Sequence, residues 1–205
     1  MILFVTGGSS SGKSAFAESA ALSLLRQLEQ EQGFRVPLWY VATMQPWGSE
    51  GAARVEKHRR QRASKGFLTL ERYGAFAQLE LDESTVAYAD CPHALQVDFS
   101  KKGVVLLECM GNLVADVLYD SKGDLQPRHH VFNEAQACMD RLASSAQHVV
   151  VVGNQVGADG ISYSDETRLY IELLGTIQCK LAAHSDCVVE LVSGVPMYVK
   201  GGHTW

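Results

Sequence analysis

The sequence predicts an α/β fold in which a mostly parallel β-sheet carries helices on both faces. Two observations predict it. Short runs of β-branched and aliphatic residues recur without polar alternation, which is typical of strands buried on both faces. Between most of these runs lie stretches long enough for a helix. The runs cover residues 2–6, 38–42, 104–108, 149–152, 188–192 and 197–199.

The length and composition predict a single domain over residues 1–205. Of the 205 residues, 46% are hydrophobic and 20% are charged. A chain of this size can bury one well-formed core and is short for two. It contains no run of about eighteen apolar residues, the length that a membrane-spanning helix needs. We therefore expect no integral membrane segment.

Charge and cysteine usage exclude two further classes of protein. The formal net charge is −5, whereas nucleic-acid-binding domains usually carry a basic surface, so no nucleic-acid partner is expected. The five cysteines form no C-x-x-C pair and are odd in number. This usage favours reduced thiols in a cytoplasmic protein over a disulfide framework.

Four helices are predicted between the strands. In the first, Ala17, Ala21 and Leu24 recur at helical spacing, while Glu18 falls on another, polar face. This helix should end near Gly33, because glycine readily adopts the left-handed conformation that ends many helices. The other predicted helices cover 49–62, 128–145 and 164–183, and the segment 72–103 is predicted to hold a helix followed by a long surface excursion.

A phosphate-binding loop follows the first predicted strand. Residues 7–14 read G-G-S-S-S-G-K-S and fit the pattern G-x-x-x-x-G-K-[ST] between a strand and a helix. The glycines let successive backbone amides point inward, and the helix N-terminus adds unpaired N–H groups, so a polyphosphate fits there. Lys13 is expected to reach the β- and γ-phosphates, and the Ser14 hydroxyl is expected to bind Mg²⁺.

An acidic residue ends the third predicted strand. Glu108 follows four aliphatic residues, the place where P-loop proteins carry an acid that helps to hold the metal or its waters. The alternative is an ordinary carboxylate at the end of a strand.

A histidine stands among cations on the second predicted helix. Arg54, His58 and Arg62 are four residues apart, so they share one helix face. Two guanidiniums beside an imidazole disfavour its protonated form and lower its pKa. A neutral imidazole beside a clamped phosphate can act as a nucleophile at phosphorus. The alternative is a solvated charged helix on which His58 has no catalytic role.

These and further motifs, in order along nearly the whole chain, resemble the bifunctional adenosylcobinamide kinase/adenosylcobinamide-phosphate guanylyltransferase family of cobalamin biosynthesis. The motifs are T-G-G at 6–8, S-G-K-S at 11–14, Y-V-A-T at 40–43, E-x3-R-x3-H-x3-R at Glu50, Arg54, His58 and Arg62, L-E-C at 107–109, Asn154 with V-G at 156–157, L-A-A at 181–183 and V-S-G-V-P at 192–196.

The resemblance implies a P-loop NTPase, RecA-like fold and two reactions. Family members phosphorylate adenosylcobinamide with a nucleoside triphosphate, ATP or GTP, and then transfer GMP from GTP to that phosphate through a GMP-histidine intermediate. His58 matches the family histidine, and with Lys13 it is the implied catalytic residue. The resemblance also implies Mg²⁺ as cofactor, a corrinoid substrate and a homo-oligomer, with a trimer as the expected form.

The nucleotide-binding residues follow from the loop motif and the resemblance together. They are Gly7, Gly8, Ser9, Ser10, Ser11, Gly12, Lys13 and Ser14 in the loop, and Ala42, Thr43, Met44, Arg59, Arg60, Gln61, Arg62, Glu71 and Glu108 beyond it, with Ser14 and Glu108 as the metal ligands.

The sequence departs from the family pattern at several positions. Ser10 stands where the family usually has arginine, Ala63 where it has proline, and Gln155 where it has glutamate. The family's G-R-x-N-Q becomes G-T-I-Q-C at 175–179. The changes at Ser10 and Thr176 remove two cationic side chains that could stabilise a triphosphate. Two alternatives therefore stay open: a P-loop small-molecule kinase without the guanylyl step, and a non-catalytic nucleotide-binding relative.

Overall fold

The computed structural model describes residues 1–45, 48–120, 122–157 and 159–202, and within them every side chain except those of Glu50, Ala52 and Arg54. The strands in these ranges are β1 (Ile2–Gly7), β2 (Leu38–Ala42), β3 (Leu68–Glu71), β4 (Tyr88–Ala89), β5 (Val104–Glu108), β6 (His148–Val152), β7 (Cys187–Val192) and β8 (Val195–Lys200). The helices are α1 (Lys13–Gln32), α2 (Gly48–Arg62), α3 (Met110–Leu118), α4 (Arg128–Ser145) and α5 (Asp165–His184).

The strands join in one sheet of order β4-β3-β2-β5-β6-β1-β7-β8. The six central strands are parallel, and only the edge strands β4 and β8 pair antiparallel. The predicted mostly parallel sheet is therefore confirmed. β6 lies between β1, which leads into the phosphate loop, and β5, which carries Glu108. Val152 pairs with both Val5 and Glu108, so the loop and the acid lie at the same, carboxyl edge of the sheet.

Helices cover both faces of the sheet, as predicted. On one face α1 buries Ala17, Ala21 and Leu24 against aliphatic residues of the central strands. On the other face α3, α4 and α5 pack around a second core that includes Leu113 and Leu142. Near-continuous aliphatic strands are therefore buried on both sides, which is the condition that their sequences indicated.

The predicted helix boundaries are close to those observed. α1 ends at Gly33, whose φ of 77° is the left-handed conformation expected of a glycine cap. α2 and α4 match the predicted spans, and α5 begins after Ser164, whose side chain accepts a hydrogen bond from the N–H of Thr167.

Three features differ from the sequence prediction. β3 and α3 were not predicted, because each is short and neither has a long periodic pattern. The segment 72–103 holds no α-helix: it consists of short 3-10 turns at Phe76–Gln78, Glu83–Thr85 and Pro92–Leu95 and the two-residue strand β4. Phe76 and Leu79 anchor this segment in the core, whereas its polar residues form local turns.

Among the described residues, no helix combines the length and the apolar character that crossing a membrane requires.

Candidate functional site

The phosphate loop is shaped by glycines at its two ends. A Cβ on Gly7 would lie 2.6 Å from the Ser11 Oγ and 2.7 Å from the Leu191 carbonyl oxygen, so only glycine fits there. Gly12 has a φ of 89° and forms the N-cap of α1. The N–H of Ser11 donates to the Gly8 carbonyl at 3.3 Å, which closes the loop.

Lys13 is folded back into this loop. Its side chain is only 9% exposed, and its ammonium donates to the Gly8 carbonyl at 3.0 Å. A cation therefore lies at the N-terminus of α1, where the helix already presents unpaired N–H groups and the positive end of its dipole. The arrangement favours a polyphosphate at the place that the motif predicted.

Ser14 and Glu108 meet across the sheet. The Ser14 hydroxyl donates to one carboxylate oxygen of Glu108, Oε1, at 2.7 Å. The other oxygen, Oε2, is buried and has no hydrogen-bond partner within the described residues. Burial raises the pKa of Glu108 to about 7, and the Ser14 hydrogen bond opposes that shift. The two predicted metal ligands are thus in contact, with one buried oxygen open to a further partner.

Thr43 holds the carboxyl ends of β2 and β5 together. Its N–H and its hydroxyl both donate to the Glu108 carbonyl, each at 3.0 Å, and its hydroxyl oxygen accepts from the Cys109 N–H at 2.8 Å. Thr43 is fully buried. It therefore fixes the backbone that carries Glu108.

His58 faces the sheet from α2. It lines a small cavity of about 30 Å³ together with Tyr40, Arg62, Thr69, Glu71 and Glu108. Its Nδ1 is buried and finds no hydrogen-bond partner in the described part of the chain. Burial is the larger cause that lowers the pKa of His58, and the Arg62 guanidinium adds to the effect. The predicted neutral imidazole is thus favoured mainly by desolvation, a cause that helical spacing alone did not reveal.

Arg62 is an almost fully buried cation beside that histidine. It is 2% exposed, and its guanidinium lies 3.5 Å from the centroid of the Tyr40 ring. Its Nε and Nη1 lack hydrogen-bond partners among the residues that the structure describes. Buried donors of this kind normally find an acceptor, so the site can take an anionic group here. The side chain of Arg54, predicted to flank His58 on the other side, lies outside the described residues.

The remaining predicted residues divide into two groups. Arg59 donates to Glu71 at 2.7 Å, and both line the cavity of His58, as do Ala42 and Met44. The other group does not line this cavity and is exposed: Arg60, Gln61, Ser9 and Ser10. Arg60 pairs with Glu56 on the outer side of α2.

Two polar residues near the site were not identified from the sequence. Glu18 was predicted on a polar face of α1, but it is 3% exposed and forms an ion pair with Lys65 at 2.6 Å. Tyr40 appeared as part of a strand and of the Y-V-A-T motif, with no role of its own, and it forms the surface on which Arg62 stacks. Both roles depend on contacts between distant segments, which no local pattern signals.

The departures from the family pattern have local partners in the structure. Gln155 donates to Glu190 at 2.6 Å, and Gln178 donates to the Asn154 carbonyl at 3.1 Å, next to the end of β6. Thr176 is exposed and bonds to the Glu172 carbonyl of its own helix. These side chains therefore stabilise the loop after β6 and the helix α5.

Comparisons with known proteins agree on one family. A family model described as cobinamide kinase/cobinamide phosphate guanyltransferase matches residues 3–199. The chain is 30% identical to the bifunctional adenosylcobalamin biosynthesis protein CobU of Escherichia coli (strain K12), over 98% of this chain and all of that protein. It is 26% identical to the protein of the same name from Salmonella typhimurium (strain LT2), again over 98% and 100%. It is 24% identical to the bifunctional adenosylcobalamin biosynthesis protein CobP of Pseudomonas aeruginosa, over 96% of each.

Among solved structures, the chain is similar to the KaiC-like protein PH0186 from the hyperthermophilic archaeon Pyrococcus horikoshii OT3. The sequence identity is 10% and the TM-score is 0.46, over 98% of this chain and 79% of that one.

Proposed function

The chain belongs to the cobinamide kinase/cobinamide phosphate guanyltransferase family, and from this premise we propose that it catalyses both reactions of that name. It phosphorylates adenosylcobinamide with ATP or GTP. It then transfers GMP from GTP to adenosylcobinamide phosphate through a GMP-histidine intermediate on His58, as a step of cobalamin biosynthesis.

In the kinase reaction, the loop residues bind and orient the triphosphate. The backbone amides between Gly7 and Ser14 and the ammonium of Lys13 neutralise the β- and γ-phosphates. The acceptor hydroxyl then attacks the γ-phosphorus while the P–O bond to the departing nucleoside diphosphate breaks, and the hydroxyl proton passes to water. Lys13 leaves its contact with the Gly8 carbonyl to reach the phosphates.

Ser14 and Glu108 would hold Mg²⁺ with the phosphates. Hydroxyl and carboxylate oxygens are the donors that Mg²⁺ prefers, and the unpartnered Oε2 of Glu108 in the described structure fits such a role. Within the described residues no group of three or more His, Cys, Asp or Glu side chains could hold a metal alone. Phosphate oxygens and waters would complete the shell. The bound ion would supply charge neutralisation at the transferring phosphoryl group.

In the transfer reaction, His58 acts as the nucleophile. Its neutral imidazole forms a P–N bond to the α-phosphorus of GTP while the P–O bond to pyrophosphate breaks. An oxygen of the acceptor phosphate then attacks the same phosphorus, the P–N bond breaks, and His58 returns to its neutral form. Arg62 and Arg59 stabilise the charge on the phosphate during both steps.

A single observation carries this proposal: His58 and Glu108 line the same cavity. The histidine on α2 thus faces the edge of the sheet where the triphosphate binds. At about 30 Å³ the cavity has room for about one water and none for a nucleotide. We propose that α2 moves away from the sheet to admit GTP and closes again for attack.

The test is covalent labelling with GTP radiolabelled at the α-phosphate. Incubation with Mg²⁺ should leave label on the protein through a bond that is stable to alkali and broken by mild acid, and His58→Ala should abolish the label. His148→Ala is the matched control, because His148 is also half-buried with a lowered pKa but begins β6 at the opposite edge of the sheet.

Each result that contradicts the proposed function would indicate a different one. Adenosylcobinamide phosphorylation without label on the protein would indicate a plain small-molecule kinase. GTP binding with neither reaction would indicate a non-catalytic nucleotide-binding relative. Label that persists in His58→Ala would place the covalent step on another residue.

The same proposal includes a homo-oligomer, with a trimer as the expected form, and a cytoplasmic location. The family resemblance supports both, and the five cysteines, all within the described residues, are unpaired thiols. Light scattering of the purified protein tests the oligomeric state, and a monomer at micromolar concentration would contradict it.

A further inference from the structure

A second, larger cavity opens next to the site of His58. It has a volume of about 640 Å³ and lies between the segment after β2 and the helix α3. Aromatic and apolar side chains from Met44, Tyr73 and Tyr119 contribute to its wall, and so do the polar side chains of Gln45, Asn112 and Asp116. A cavity of this size and mixed lining is typical of small-molecule sites.

This cavity adjoins the smaller cavity that His58 lines. Met44 and Tyr73 line both this cavity and the smaller one that holds His58 and Glu108. Thr43, at its inner end, is bonded to the Glu108 carbonyl. The cavity therefore lies at the carboxyl edge of the parallel strands, where α/β sheets bind their ligands.

Asp116 is the polar group that this cavity leaves unsatisfied. Its Oδ1 accepts from the Gln45 amide at 3.2 Å, whereas its Oδ2 is buried and lacks a hydrogen-bond partner within the described ranges. Burial raises the pKa of Asp116 to about 6, so the carboxyl is ionised at neutral pH. Neighbouring Asp120 is different, since its Oδ1 accepts from the backbone N–H groups of Lys122 and Asp124.

The side chains that line this cavity indicate what kind of ligand it can bind. Two carboxylates repel a triphosphate, which makes the cavity unsuitable for the phosphates of GTP. They suit a ligand that donates hydrogen bonds and carries positive charge. An alkylated cobalt(III) corrin has a net positive charge, a broad flat ring and primary amides at its edge, so the aromatic walls and the one carboxylate oxygen that lacks a partner among the described residues complement it.

We propose that this cavity binds the corrinoid acceptor and that Asp116, held by Gln45, is a specificity-determining residue that accepts a hydrogen bond from a peripheral amide of the ring. This inference rests on the proposed function, because it takes the corrinoid as substrate. It adds the place where the acceptor binds and the residue that recognises it.

The experiment measures binding of adenosylcobinamide to the full-length protein by calorimetry, without any nucleotide. Asp116→Asn should weaken this binding by about tenfold or more, since a hydrogen bond to an ionised partner is lost. Gln45→Leu should weaken it less, because Asp116 then loses its orienting partner only. Self-labelling with GTP should be unchanged in both variants.

The matched control is Asp140→Asn. Asp140 also accepts a hydrogen bond from a glutamine, Gln136 at 2.9 Å, but it lies exposed on α4 on another part of the surface. This variant should bind adenosylcobinamide as the unmodified protein does.

A second measurement separates recognition from a structural role. An acceptor analogue whose peripheral amides are converted to carboxylates should bind poorly to the unmodified protein, because Asp116 repels it. Asp116→Asn should reduce this discrimination, an effect that general loss of structure would not produce.

Three results would overturn the inference: no binding of adenosylcobinamide to the unmodified protein, unchanged binding in Asp116→Asn, or loss of GTP self-labelling in that variant with the acceptor affinity intact. The last would assign the cavity to the guanine base. If adenosylcobinamide binds through Asp116 but no group transfer occurs, the inference stands and the proposed function fails.

Discussion

Lys13 and Glu108 are buried ionisable side chains on which the proposed nucleotide site depends. The lysine is folded onto a backbone carbonyl of its own loop, and the glutamate is held by Ser14. Both were identified from the sequence, because a strand, a glycine-rich turn and a helix specify the lysine locally and the strand end specifies the acid. Asp116 and Tyr40 could not be identified in this way, since their surroundings come from segments that are distant in the chain.

Lys13→Ala should remove most of the affinity for GTP. The ammonium makes charge-assisted hydrogen bonds to phosphate oxygens in the proposed complex, and their loss should raise the Kd by about a hundredfold, or ~3 kcal/mol. Calorimetry measures this change. Lys102→Ala, at an exposed position before β5, serves as the control. An unchanged Kd in Lys13→Ala would contradict the assignment of the loop.

Glu108→Gln should reduce turnover by about two orders of magnitude with little loss of stability. The amide keeps the shape of the side chain and its contact with Ser14, but it removes the charge that would help to hold Mg²⁺. Steady-state assays of the two half-reactions measure the effect. Near-normal rates in both would make Glu108 a structural residue only.

The same substitution should change how stability depends on pH in the nucleotide-free protein. The pKa of Glu108 rises from 4.5 to about 7 on folding. The folded state therefore binds a proton more tightly than the unfolded state, and this contribution to stability is lost as the pH rises from about 4.5 through about 7. Glu108→Gln has no carboxyl group to titrate at this position. The Tm of the variant should therefore rise relative to the Tm of the native protein as the pH increases from about 4.5 to about 7. Parallel Tm curves would contradict the shifted pKa.

His58 should remain neutral below its ordinary pKa. Burial and the Arg62 guanidinium lower the pKa of His58 from 6.5, so its NMR titration should have a midpoint below pH 6.5. The acid limb of GTP self-labelling should follow the same midpoint. The resonance is assigned by its absence in His58→Gln, and a midpoint at or above 6.5 would contradict the buried position of the ring.

Among the elements, α2 is the one that we propose moves to admit the nucleotide. It carries His58 and Arg62 against the sheet and leaves a cavity too small for a nucleotide. Its span was predicted from its charge pattern, but its closed position was not, because that position depends on the stacking of Arg62 on Tyr40 and on the pair between Arg59 and Glu71. β3, which supplies Thr69 and Glu71 to the cavity, is too short to have been predicted.

Amide hydrogen exchange should locate this motion. In the nucleotide-free protein, α2 should exchange faster than α4, which buries Val131, Ala135 and Leu142 in the core. GTP should slow the exchange of α2 and leave that of α4 unchanged. Equal protection of α2 with and without GTP would argue against movement of this helix.

For the whole molecule, the order of the sheet explains why the site forms where it does. Since β6 lies between β1 and β5 with Val152 paired to both neighbours, the loop and Glu108 reach one edge together. The fold class follows from aliphatic strands and helical spacers and was predictable. The order of the strands was not predicted, because it is set by contacts between remote segments.

The two ends of the proposed nucleotide site differ in whether their polar groups have partners. At the loop, Lys13 and Ser14 already form hydrogen bonds within the protein. A triphosphate that binds there replaces those hydrogen bonds with new ones, so the free energy gained is only the difference between the two sets. At α2, Arg62 and His58 hold buried polar atoms that lack partners among the described residues, so each contact that a ligand makes there is a net gain. The contacts at α2 therefore add more free energy per hydrogen bond than those at the loop, and an anion that reaches Arg62 would also favour the position of α2 against the sheet.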